Sequence, residues 1–142
     1  MQPSDPALAF FLDRGLGSRV VPTALRAAGW QLTTMNERYG VVDSQFVGDE
    51  EWICEAAAHD EILLCKDLAI ARNQNEAAAV HRARARVFAL ANANASGSAM
   101  VHCLLAHEQR IFALAARVPG PYVFAVSAER LRRCRLNLGR EG

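Results

Sequence analysis

Long apolar runs, paired cysteines and lysine are all scarce in this chain, and each scarcity excludes something. No apolar stretch approaches the roughly 18 residues that a membrane-spanning helix needs. The opening segment, MQPSDPALAF, has no basic region ahead of an apolar one and no cleavage-like site after it. It does not read as a secretory signal, so the expected location is the cytoplasm. Cys54, Cys65, Cys103 and Cys134 form no C-x-x-C pair, which argues against a zinc ribbon or a thioredoxin-like site. They are expected to be reduced thiols. Cys65 and Cys103 lie in apolar runs, where a thiol packs as a small hydrophobe. Histidine offers no ligand pattern either. His102 and His107 stand roughly 140° apart around a helix, and His59 and His81 lie far from them in sequence.

Lys66 is the sole lysine; every other basic residue is arginine. An arginine excess follows genome base composition as readily as function and carries little weight. Its distribution is more telling. From Asp43 to Glu61 there are seven acids and no Lys or Arg, whereas Arg72 to Arg86 holds four arginines and one glutamate. The C-terminal stretch ERLRRCRLNLGREG adds five arginines and two glutamates. An acidic centre between arginine-rich flanks suits a polyanion held through metal ions and phosphate contacts. Balanced, solvated faces would give the same totals.

At 142 residues, about half of them hydrophobic, the chain is expected to be one domain with a sizeable core. That domain spans residues 1–142, with a core over about 8–127 and an arginine-rich tail over 128–142. Residues 7–12 read as a buried strand. Ser18 can cap a helix reaching Ala28, with Pro22 tolerated in its first turn and Gly29 as its stop. WQLTTM reads as a second strand, followed by a polar loop. DEEWICEAAAHD reads as a helix whose acidic first turn suits the positive helix end. EILLC is a third strand, 75–83 a helix, RVFAL a fourth strand, 98–116 one long helix, and YVFAVS a fifth strand. This alternation predicts an α/β fold: a mostly parallel central sheet of about five strands with helices on both faces. Ligands of such sheets bind beyond the carboxyl ends of the strands.

That edge should gather acids. FFLD ends strand one on Asp13, Asp67 follows strand three, and Asp49 starts the helix leading into strand three. Glu50 and Glu51 adjoin it. Singly, each aspartate has a plain role: Asp49 as a helix N-cap, Asp67 as a turn cap, Asp13 as a partner of Arg14 or Arg19. Together they imply more. Like charges about 5 Å apart repel by roughly 3 kcal/mol at an effective dielectric of 20, and a divalent cation removes that cost. Oxygen ligands without His or Cys point to Mg²⁺ or Mn²⁺ rather than zinc. Carboxylate-held magnesium at such an edge serves phosphate chemistry.

The stretches FFLDRGLGSRVVPTALRAAGW and VGDEEWICEAAAHDEILLCKD resemble the PIN-like nuclease family. More narrowly they resemble its VapC-type toxin branch, with an F-L-D-R-x-L-G opening, a D-E-x-W helix start and a K-D after strand three. The similarity runs over about residues 8–126. It implies a metal-dependent endoribonuclease, the toxin of a toxin–antitoxin pair, with Mg²⁺ as cofactor and Mn²⁺ as a substitute. Carried over, the metal-binding and catalytic acids are Asp13, Asp49 and Asp67, with Glu50 or Glu51 as an accessory ligand and Glu50 the first choice. Arg14, Lys66 and Arg72 become candidate phosphate contacts; each has the plain alternative of neutralising an acid. Asn92 stands nearest to where the family places a further acid. The resemblance also implies an RNA substrate, a cognate antitoxin and a homodimer. Helix 98–116 is a candidate partner surface or, equally, a core helix.

Three other readings compete. GLGSRV follows a strand and opens a helix as a dinucleotide loop would, but Val20 replaces the third small residue and no acid ends strand two. A phosphoacceptor receiver needs a lysine after strand five, where this chain has Ser127. A non-catalytic PIN-like scaffold, with a degenerate site that binds RNA or protein, remains the alternative.

Overall fold

Phe10, Phe11 and Leu12 of β1 (Ala9–Leu12) are all fully buried. A strand apolar on both faces belongs at the centre of a parallel sheet, and that is its place in the computed structural model, which describes residues 7–139. β2 (Gln31–Thr34), β3 (Ile62–Lys66), β4 (Arg86–Leu90), β5 (Tyr122–Val126) and β6 (Leu131–Arg133) complete one sheet in the order β2-β1-β3-β4-β5-β6. The first five strands are parallel; β6 runs antiparallel to β5.

Helices cover both faces. One apolar cluster joins Phe10, Leu12, Leu64 and Phe88 to Val21 and Leu25 of α1 (Val20–Ala27), Met100 and Leu104 of α6 (Gly97–Ala106), and Ile111 of α7 (Glu108–Arg117). The other joins Phe11, Leu63 and Val87 to α2 (Met35–Tyr39), α3 (Asp49–Ala58), α4 (Ala69–Arg72) and α5 (Gln74–Ala83). Alternate residues of each strand feed opposite layers, as the two-residue period of a strand requires.

Four local readings are corrected. Arg19, not Ser18, occupies the N-cap position of α1, and no side chain caps that end. The expected polar loop after β2 holds α2, because Thr34 and Glu37 form a reciprocal capping box whose side-chain oxygens accept from two otherwise orphan backbone donors. The single helix over 98–116 is two helices broken at His107, whose Nε2 donates to the Ser127 carbonyl at 2.8 Å. Their inner residues, Met100, Leu104, Ile111 and Ala115, belong to the core. The arginine-rich tail contributes β6, an edge strand with Leu131 buried and Arg132 and Arg133 exposed.

The four cysteines are free thiols; Cys65 is buried and Cys54 exposed. Among the described residues no helix is long and apolar enough to cross a membrane.

Candidate active site

Register carries the acids to one edge. Leu12 pairs with Leu64, and Lys66 with Leu90. The next residue on each strand extends the ladder by one bond: Asp13 N–H donates to Leu64 O at 3.0 Å, and Asp67 N–H to Leu90 O at 2.8 Å. Both aspartates are thereby fixed by backbone bonds at the carboxyl edge of the sheet. Asp67 adopts φ 63°, a conformation that aspartate tolerates better than most residues. Its Oδ1 accepts from Ala69 N at 2.7 Å, turning the chain into α4.

Asp49 reaches the same edge from α3. Gly48 is the N-cap and provides no side-chain cap, so the N-cap role expected for Asp49 is not the one it fills. Asp49 is the first helical residue, and its Oδ1 accepts from Trp52 Nε1 at 2.9 Å. Trp52 is buried, so one wall of the core orients this carboxylate.

The loop ahead of α3 is tied to β1. Arg14 Nη2 donates to Ser44 O at 2.8 Å and to Val47 O at 2.7 Å. The partner of Asp13 is the backbone N–H of Arg14, at 2.7 Å from Oδ1, rather than a guanidinium. Gly15 lets this turn lie close to β3: a Cβ there would stand 3.1 Å from Lys66 Cβ, tighter than ordinary side-chain contact.

Asp13, Asp49 and Asp67 line one cavity of about 120 Å³, with Trp52, Cys65 and Lys66 in its wall. A fourth carboxylate lines it too, Glu76 of α5. Glu76 was legible only as a helical acid; the signal for it is its place in the first turn of a helix that opens at the same sheet edge. Burial, then the charges of Asp49, Asp13 and Asp67, push the Glu76 carboxyl up to about 7. Burial also raises Asp13 to about 6, with Asp49 adding to the rise and the Arg14 N–H opposing it. Burial, chiefly, also pushes the thiol of Cys65 in the cavity lining well above its ordinary value.

The remaining candidates sit farther out. Glu50 is exposed and outside the cavity wall, although its charge contributes to the Glu76 shift. Arg72 is exposed and lines an adjoining concavity with Asp67. Asn92 faces a different concavity, and its Oδ1 accepts from Asn94 N. Glu76, not Asn92, is therefore the fourth polar group at the acids.

Among the described residues, no group of three or more His, Cys, Asp or Glu is set close enough to hold a metal ion as it stands. The four carboxylates share a wall without converging on one point. The hydrogen bonds above hold one oxygen each of Asp13, Asp49 and Asp67, and mutual repulsion keeps unbridged carboxylates apart. The donor chemistry nevertheless fits a hard divalent cation: carboxylate oxygens only, in a small recess, with two protons held above the usual carboxylate range for a cation to displace.

Comparison with known proteins identifies the family. The profile of the family described as "PIN like domain" matches residues 8–92, which carry all four acids. The chain is 38% identical over 137 residues to "Putative ribonuclease VapC45" of Mycobacterium tuberculosis (strain ATCC 25618 / H37Rv), covering 94% of this chain and 99% of that protein. No solved structure matches. The chain belongs to the PIN-like domain family, in its VapC-type branch.

Proposed function

We propose that this protein is a Mg²⁺-dependent endoribonuclease and the toxin of a type II toxin–antitoxin pair. The observation that carries the reading is that Asp13 and Asp67, just past the ends of β1 and β3, and Asp49 and Glu76, in the first turns of α3 and α5, line one small cavity at the carboxyl edge of a parallel sheet. The relative's printed description as a ribonuclease supports the same activity. The protein would act in the cytoplasm, as a homodimer, under the control of a cognate antitoxin.

Asp13, Asp49, Asp67 and Glu76 would hold the cation, with Glu50 as an outer ligand; Mn²⁺ would substitute. The chemistry a cation would supply there is activation of a water and stabilisation of the leaving oxygen of the phosphodiester. The chain's own residues prepare that chemistry. Trp52 aims Asp49 through its indole N–H. Arg14 fastens the loop that precedes Asp49. Lys66 lines the same cavity, and its ammonium would be available to attract a phosphate. Asp13 at about 6 and Glu76 at about 7 would give up their protons more readily as positive charge arrives.

One observation favours the alternative of a non-catalytic scaffold: among the described residues the acids are not gathered tightly enough to bind a metal without rearrangement. Cleavage of total cellular RNA by purified protein, with and without Mg²⁺, separates the two. The nuclease gives discrete magnesium-dependent cuts that disappear in Asp13→Asn. The scaffold gives none with any metal.

A further inference from the structure

The arginine-rich C-terminal segment lies outside the matched family region, yet it is built against the site. Asn137 fastens it. The Asn137 backbone N–H donates to Ala71 O at 2.8 Å, and its Nδ2 donates to Arg72 O at 2.7 Å. Its Oδ1 accepts from Gly139 N at 3.2 Å. Leu136 packs against the core layer that holds Ala71. A segment joined by bonds from both backbone and side chain to the last turn of α4 has a defined position there.

Three concavities then share walls. The acid cavity meets a larger one of about 530 Å³ through Asp67 and Ala69. That concavity meets a third, of about 400 Å³, through Arg72. Arg135 lines the third, whose walls contain no Asp or Glu among the described residues. Arg72 and Arg135 are both exposed, and neither forms an ion pair among the described residues. Exposed guanidinium groups in adjoining concavities, leading away from clustered carboxylates, suit a chain of phosphates better than any neutral ligand.

We infer that the C-terminal segment completes the substrate path: single-stranded RNA leaves the acid cavity past Arg72 and lays its phosphates along Arg135. Asn137 is the positioning residue that holds the segment in place. The inference rests on the ribonuclease reading and specifies where the substrate lies.

The test uses full-length Asp13→Asn protein, so that bound RNA stays intact. A fluorescein-labelled single-stranded RNA of mixed sequence is titrated over a range of KCl. Deleting one arginine–phosphate interaction should reduce the slope of log affinity against log salt by about 0.7. Arg135→Ala should weaken binding and reduce the slope by that amount; Arg135→Lys should restore it. Asn137→Ala removes no charge but releases the segment, and should reduce the slope similarly. An unchanged slope in Arg135→Ala, with RNA still bound, overturns the inference and leaves the ribonuclease reading standing. No RNA binding by Asp13→Asn, together with no cleavage by the unsubstituted protein, overturns both.

Discussion

Arg14 Nη2 donates to the Val47 carbonyl at 2.7 Å, two residues before Asp49. The same nitrogen holds the Ser44 carbonyl at 2.8 Å. One guanidinium therefore links the strand end that carries Asp13 to the loop that delivers Asp49. Arg14→Ala should loosen that loop without disturbing the sheet. Hydrogen exchange over residues 41–48 should speed up, and the Mg²⁺ concentration for half-maximal cleavage should rise about tenfold, as for other groups that orient metal ligands. Unaltered exchange in this loop would show that Arg14 does not hold it.

Trp52 acts on the same carboxylate from the core side. Trp52→Phe keeps a buried aromatic ring but deletes the indole donor to Asp49 Oδ1 and part of the packed volume. The fold should remain, with a stability loss of about 2 kcal/mol from the lost bond and the void together, while Mg²⁺ affinity falls. Calorimetric Mg²⁺ titration checks this; wild-type affinity in a folded Trp52→Phe protein would remove the indole from the site's organisation.

The raised carboxyls give a signed pH dependence. Asp13 at about 6 and Glu76 at about 7 lie above their ordinary values, through burial first and neighbouring acids second. The folded protein thus binds more protons than the unfolded chain between about pH 4 and 7, so metal-free stability falls as pH rises through that window. The apparent Tm without metal should be higher near pH 5.5 than near pH 8. Mn²⁺ displaces those protons, so its affinity should rise over the same interval. Glu76→Gln should flatten both profiles. A metal-free Tm that climbs steadily from pH 5.5 to 8 would contradict the assignment.

How much of this was legible in the sequence depends on how local each determinant is. The strands were visible because Phe10–Phe11–Leu12 and Ile62–Leu63–Leu64 are uninterrupted apolar runs, the mark of strands buried on both faces. Asp13 and Asp67 were visible because each follows such a run directly. Glu76 was not: it becomes a site residue only when α5 starts beside the carboxyl edge, which no window of sequence reports. At the break, His107 bonds a carbonyl 20 residues away, a partner that local sequence does not report. The edge strand β6 was hidden because its exposed arginines read as a charged tail, whereas charged side chains are how exposed sheet edges avoid further pairing. Asn92 was misplaced because its loop faces the α6 layer instead of the acids.

Away from the site, Arg38 and Glu61 form a two-bond ion pair at 2.7 and 2.6 Å, with Glu61 buried and the guanidinium over the Phe11 ring at 4.6 Å. Glu61→Ala leaves Arg38 without its carboxylate against the core. Stability should fall by about 3 kcal/mol, read by urea denaturation, with cleavage unaffected per folded molecule. A loss below about 0.5 kcal/mol, the range of ordinary surface substitutions, would mean that the pair is well solvated.

The central claim is that the four carboxylates act together on RNA through a divalent cation. The most direct measurement is cleavage of total cellular RNA by wild-type protein and by Asp13→Asn, Asp67→Asn and Glu76→Gln, each confirmed as folded by circular dichroism, with Mg²⁺ and after chelation. The account predicts discrete cuts by the wild type that stop on chelation, return with Mg²⁺ or Mn²⁺, and vanish in both aspartate variants, with Glu76→Gln strongly reduced. Cleavage that survives thorough chelation, or full activity in folded Asp13→Asn, would contradict it.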